Sequence, residues 1–155
     1  MPGTDELRGA RQRERPIVLI AEDERELRQL YAQQLTISGF DVIEAANGAE
    51  AIDLTSTRLP DVILMDLSMP VVDGWEATKR LRANTRTAHI PVVALTAHDG
   101  AGELQRATSA GCDWFVPKPC APDALITEIR RVLSAPRPQA AVGRKIPSIP
   151  SPNSQ

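Results

Sequence analysis

Cysteine is scarce in this chain of 155 residues: Cys112 and Cys120 are the only two, eight positions apart. No Cys or His pattern partners them, which excludes a thiolate zinc site, and two lone thiols make no disulfide framework. Reduced thiols and a cytoplasmic location are therefore expected. No apolar run approaches the roughly 20 residues of a membrane span. Met1 to Arg15 is polar and lacks the apolar centre of a secretory signal. Net charge is also small, at -2, which argues for neither nucleic acid nor a membrane surface as partner. That charge is spread unevenly. Residues 16–134 hold 11 Lys/Arg against 17 Asp/Glu, while both ends are mildly basic. An acidic centre of this kind suits a metal-binding globule better than a DNA binder.

Length favours one domain with a real core. Residues 1–15 mix Gly, Pro and both charge signs without period, which predicts a disordered leader. Ile17-Val18-Leu19-Ile20-Ala21 then reads as a short strand buried on both faces, the habit of parallel sheets. A helical period follows from Arg25, with Leu27, Leu30, Tyr31, Leu35 and Ser38 on one face, and Gly39 placed to stop it in the left-handed conformation. Residues 40–45 alternate as an edge strand would. Asn47-Gly48 opens a second helix, which Leu59-Pro60-Asp61 breaks. Val62-Ile63-Leu64-Met65-Asp66 is the central strand, four apolar residues running into a carboxylate. Trp75 to Ala83 reads as a helix and Val92 to Leu95 as a strand ending at Thr96-Ala97. Residues 99–110 read as a helix thin in apolar side chains (Leu104, Ala101, Ala107), able to move. Trp114-Phe115-Val116 forms the fifth strand, before Pro117-Lys118-Pro119. The last helix, about 122–134, carries Leu125, Ile126, Ile129, Val132 and Leu133 on one face. Residues 135–155 are Pro-rich and aperiodic, a tail predicted to be disordered.

Five strands alternating with five helices, (βα)5, predict a doubly wound parallel sheet with helices on both faces and right-handed crossovers. All strands then deliver their C-terminal ends to one edge, where ligands of open α/β sheets bind. Glu22 and Asp23, Asp66, Thr96 and Lys118 gather there. Clustered acids raise one another's pKa unless a cation neutralises them. Lys118 offsets one charge, and the rest invites a hard divalent ion with oxygen ligands, Mg²⁺ before Ca²⁺ or Zn²⁺. A carboxylate beside a metal, an ammonium and a hydroxyl is equipment for phosphoryl transfer, with the Asp as nucleophile.

The set Glu22-Asp23, Asp66 followed by Met69-Pro70 and Asp73-Gly74, Thr96-Ala97, and Phe115-x-x-Lys118-Pro119 resembles the receiver domain of two-component response regulators, of the stand-alone chemotaxis-regulator type. The resemblance covers residues 16–134 and implies the flavodoxin-like strand order 2-1-3-4-5. It implies that Asp66 accepts a phosphoryl group from a histidine kinase or a histidine phosphotransfer protein. It implies that Glu22, Asp23, Asp66 and the Ser68 backbone carbonyl hold Mg²⁺. Thr96-Ala97 and Lys118 would bind the phosphoryl oxygens, with Thr96 and Phe115 as the switch pair. Ser68 and His98 match positions that tune phosphoryl lifetime, and Lys118-Pro119 matches a peptide bond usually cis in the family.

Such a protein is a switch rather than a multiple-turnover enzyme. It would bind a downstream protein through the fourth helix, fifth strand and fifth helix, as a monomer or weak dimer. No output domain is expected in the tail. A phosphohydrolase with an Asp nucleophile is the rival reading, but such enzymes place a second acid where Ser68 stands. A flavin or nucleotide module needs a Gly- or Ser/Thr-rich loop where Glu22-Asp23-Glu24 stands. A degenerate receiver used only for docking is the third alternative. His89, Trp75, Trp114 and both cysteines are read as surface or packing residues.

Overall fold

The computed structural model describes residues 15–96 and 101–135. The assignments to residues 1–14, 97–100 and 136–155, Ala97 and His98 among them, lie outside the described residues. In chain order the elements are β1 (Ile17–Ala21), α1 (Arg25–Ile37), β2 (Asp41–Ala45), α2 (Gly48–Arg58) and β3 (Val62–Asp66). They continue with α3 (Gly74–Ala83), β4 (Val92–Thr96), α4 (Ala101–Ala110), β5 (Trp114–Pro117) and α5 (Pro122–Ser134). All strand pairs are parallel, and the sheet runs β2-β1-β3-β4-β5.

The apolar strands β1, β3 and β4 lie inside, as their sequences dictate, with the alternating β2 at one edge and the short β5 at the other. Every residue of β3 and of β4 is buried. Edge strand β2 exposes Asp41 and Glu44 while burying Ile43 and Ala45. Because side chains alternate across a strand, β1 feeds two cores. Leu19 and Ala21 join Ile63, Met65, Ala51, Ala77, Leu81 and Phe115 in the layer under α2, α3 and α4. Val18 and Ile20 join Leu64, Leu95, Leu35, Leu125 and Ile129 in the layer under α1 and α5.

Local signals set the helix ends. Asn47 and Asp73 cap α2 and α3 by accepting the backbone N–H of Glu50 and Glu76, each at 2.9 Å. Gly39, two residues after α1, sits at φ +103 as its position predicts. Two expectations need correction. Leu30 is 44% exposed rather than on the buried face of α1, which is Tyr31, Ala32 and Leu35. A helical turn of 3.6 residues carries position 30 to the margin of that stripe. Arg15, assigned to the leader by composition, is instead held against the end of α1 and the start of β2. Arg15 donates to Asp41 Oδ1 and to the carbonyls of Thr36 and Phe40, each at 3.0 Å. One guanidinium thereby ties the end of α1 to the start of β2.

The connection from β3 to α3 is tight. Val72 N–H donates to the Pro70 carbonyl at 2.9 Å across Val71, which has φ +70. This is a γ-turn of the strained hand, and a β-branched residue suits it poorly. Val71 is 80% exposed, so packing does not repay that strain. Val71→Gly is expected to raise stability by about 0.5–1 kcal/mol, the relieved backbone strain outweighing glycine's extra freedom in the unfolded chain. Urea unfolding measures this, and a loss of stability would show that the valine side chain supports the loop.

Candidate functional site

Sheet register assembles the site. Asp66 closes β3 opposite Leu95, and Thr96 closes β4 opposite Pro117. Glu22 follows β1 directly, and its N–H donates to the Ala45 carbonyl at 3.0 Å. Lys118 follows β5 and donates its N–H to the Thr96 carbonyl at 2.6 Å. Four chain segments distant in sequence thus end within one pocket at the carboxyl edge. Gly74 lets the next helix start against it: a Cβ there would lie 2.3 Å from the Asp66 carbonyl oxygen.

The polar groups converge. Lys118 Nζ lies 2.5 Å from Glu22 Oε1 and 3.3 Å from Asp66 Oδ2. Glu22, Asp66 and Thr96 are buried, Lys118 is half-buried and Asp23 is exposed. Glu22, Asp23 and Asp66 each offer a carboxylate oxygen, all within 4.8 Å of one another. Ser68 is exposed, and its N–H donates to Asp66 Oδ1 at 3.2 Å. Glu24 N–H likewise donates to Glu22 Oε2 at 3.2 Å. Phe115 is buried in the layer under α2, α3 and α4, two strands over from Asp66 with β4 between them. The Lys118–Pro119 peptide bond is cis.

Charge in this pocket is unbalanced. Burial, then the hydrogen bond and charge of Glu22, push the Asp66 carboxyl up to about 7 against the pull of Lys118. Burial pushes Glu22 upward too, but its hydrogen bonds with Asp66 and Lys118 prevail and hold it below the usual carboxylate range. For Lys118, burial acts downward, yet Glu22 and Asp66 together raise it above an ordinary lysine. Two buried carboxylates facing one ammonium therefore retain a proton near neutrality. A divalent cation could replace it. The donor set of three carboxylates, with no sulfur or imidazole, fits a hard ion such as Mg²⁺.

Sequence reasoning missed two residues on α1. Arg28 donates to the Glu22 carbonyl at 2.8 Å and to Glu44 Oε1 at 3.2 Å. Tyr31, counted only as part of an apolar face, donates its hydroxyl to the Cys120 carbonyl at 2.9 Å. No local pattern signals a contact across 89 positions. His89 is exposed, and both tryptophans are partly buried, Trp75 beneath the Arg106 guanidinium 3.8 Å from its ring centroid. Cys112 is buried and Cys120 half-buried, and neither is in a disulfide.

Fold and site together define the class, a flavodoxin-like α/β protein with an acidic pocket where the strand order reverses, between β1 and β3. The chain belongs to the response regulator receiver domain family, which matches residues 18–130. It is 37% identical over 116 residues to the polar-differentiation response regulator DivK of Brucella anthropi, covering 75% of this chain and 94% of that protein. The structure of the chemotaxis response regulator CheY4 of Vibrio cholerae superposes with a TM-score of 0.73 at 30% identity, covering 76% of this chain and 98% of that one. The receiver domain of a Pseudomonas aeruginosa sensor histidine kinase, crystallised with a magnesium ion in its active-site cleft, superposes at 0.73 with 28% identity, covering 78% and 99%. The protein is thus a two-component signalling protein. Among the described residues, no helix is long and apolar enough to cross a membrane.

Proposed function

We propose that this protein is a phosphorylation-controlled switch in which Asp66 accepts a phosphoryl group from a histidine kinase or histidine phosphotransfer protein. The observation that carries the reading is the Lys118 ammonium, 3.3 Å from the Asp66 carboxylate inside a pocket of three acids. Asp66 is the one member of that trio placed at the end of the central strand. Its oxygen would bond to phosphorus as the donor's P–N bond breaks, and the freed imidazole nitrogen would take up a proton. Glu22, Asp23, Asp66 and the Ser68 carbonyl would hold Mg²⁺, which when bound screens the acids from the incoming phosphate. Lys118 would meet a non-bridging oxygen, where transition-state charge collects. A second such oxygen would fall to Thr96, at the end of the neighbouring strand, together with Ala97.

Thr96 and Phe115 lie on adjacent strands, both buried, which supports their reading as the pair that passes the state of Asp66 outward. The receiving face would be α4, β5 and α5. Two apolar alanines, Ala107 and Ala110, are what α4 buries among its described side chains, consistent with a helix that shifts at low cost. Ser68 and His98 would tune phosphoryl lifetime. Phosphorylation would bias an existing two-state equilibrium, with coupling on the order of 1–3 kcal/mol. The proposed partners are the phosphodonor and a downstream protein in the cytoplasm, without nucleic acid, the protein acting as a monomer or weak dimer.

Incubation with acetyl phosphate and Mg²⁺ tests this. The expected product is an acid-stable, base-labile phosphate, and a wild-type protein that gains none refutes the proposal. Thr96→Ala is expected to take up phosphate yet lose most of the change in hydrogen exchange across β5 and α5. An unaltered response would remove Thr96 from the mechanism.

A further inference from the structure

One helix touches the acid pocket from two sides. Arg28 and Tyr31 stand a turn apart on α1 and so face the same way. Arg28 holds the backbone just after β1 through the Glu22 carbonyl at 2.8 Å. Tyr31 holds the backbone just after β5 through the Cys120 carbonyl at 2.9 Å. Lys118 lies two positions before Cys120, and its own N–H is anchored to the Thr96 carbonyl at 2.6 Å. The segment bearing the ammonium is thus fastened upstream by β4 and downstream by a phenol. Both the glutamate that Lys118 meets and the loop that carries Lys118 are referred to the same rigid helix.

The ring of Tyr31 does not need its hydroxyl in order to pack. The residue is 2% exposed and sits among Val18, Ile20, Leu35 and Leu125, where a phenylalanine ring would fill the same space. A buried hydroxyl costs desolvation and needs a partner. The partner it has is a carbonyl in the loop that presents the Lys118 amine to the acids. We infer that Tyr31 is a positioning residue: its hydroxyl sets where Lys118 stands relative to Glu22 and Asp66, and so how fast Asp66 takes up phosphate. The inference rests on the roles proposed above for Asp66 and Lys118. A misplaced charge costs most where charge develops in the transition state, and a shift well below 1 Å is enough to matter.

The experiment compares the full-length wild type with Tyr31→Phe and Thr87→Val. Thr87→Val removes another buried hydroxyl bond, Thr87 Oγ1 to the Leu81 carbonyl at 2.7 Å, just ahead of β4 at the far end of the sheet. It therefore controls for lost stability alone. Three quantities are measured: amide exchange at Lys118, Cys120 and Ala121, Mg²⁺ affinity, and the rate of phosphorylation by acetyl phosphate. Tyr31→Phe is expected to speed exchange in that loop and to slow phosphorylation about three- to tenfold, the worth of one hydrogen bond. Its Mg²⁺ affinity should stay within about twofold, because the carboxylates that bind metal are untouched. Thr87→Val should change none of the three. A Tyr31→Phe protein that phosphorylates at the wild-type rate overturns the inference, as does equal slowing by Thr87→Val. If the wild type itself takes up no phosphate, the phosphoacceptor reading falls. Loop exchange in Tyr31→Phe then still decides whether the hydroxyl holds Lys118, and unchanged exchange overturns that as well.

Discussion

Metal-free Asp66→Asn protein is expected to be more stable than the wild type above pH 7 and to take up no phosphate from any donor. Both effects follow from one carboxylate. In the folded chain Asp66 titrates at about 7, against an ordinary value of 3.8. Between those values the native state holds a proton that the unfolded chain has released. Stability of the wild type therefore falls as pH rises from about 4 to about 7, and the whole penalty persists above that. The amide has no proton to lose and leaves Lys118 paired with Glu22 at 2.5 Å. The two proteins should be alike near pH 4 and diverge through the interval, reaching a difference on the order of 1–3 kcal/mol. Thermal melts in chelator across this range measure it. Added Mg²⁺ should reverse the order, stabilising the wild type far more, since a ligand stabilises the state that binds it. Parallel melting curves at every pH would remove the charge imbalance at Asp66. Phosphate on the variant would remove its role.

The largest loss of stability is expected at Arg82, far from the pocket. Its guanidinium donates to the Gly111 carbonyl at 2.8 Å, to the Ala88 and Ile90 carbonyls at 3.1 and 2.7 Å, and to Asp113 Oδ2 at 2.5 Å. Asp113 is buried and also accepts the Val92 N–H at 2.9 Å. One side chain thus joins α3, the approach to β4 and the approach to β5. Arg82→Ala would take the counter-charge from a buried carboxylate and a donor from three carbonyls, at a cost of about 3–5 kcal/mol. Against a total stability of about 5–15 kcal/mol, that leaves a marginal protein. Arg82→Lys should fall between, since an ammonium keeps the charge but cannot span the same fork of acceptors. Asp113→Asn should recover part of the loss in the Arg82→Ala background. Urea unfolding of wild type, Arg82→Ala, Asp113→Asn and the double variant closes the cycle, with Arg82→Lys measured alongside, and a loss below about 1 kcal/mol for Arg82→Ala would show that water replaces the guanidinium.

Neither Arg82 nor Tyr31 stands out in the amino-acid sequence. Arg82 reads as one more charge on an exposed helix face, and its acceptors are carbonyls, which every residue has. Tyr31 reads as an apolar position, because its polar tip meets a segment 89 residues away. Leu30 fails for a related reason, since helical period marks a stripe but not its edge. Exposed strain at Val71 is equally silent, as valine carries no signal for positive φ. These features depend on where other segments pass, and local propensity does not contain that information.

The alternation of strand and helix, the edge position of β2 and the gathering of Glu22, Asp23, Asp66, Thr96 and Lys118 at one rim were all determined by the sequence alone. The physical reason is that fully apolar strands must be covered on both faces, and parallel strands must all end on the same side. Only the tertiary structure decided how the acids share their charge, with Lys118 nearer Glu22 and Asp66 left holding a proton. Distances of 2.5 and 3.3 Å set that division, and they arise from packing among helices and loops that no single stretch of chain encodes.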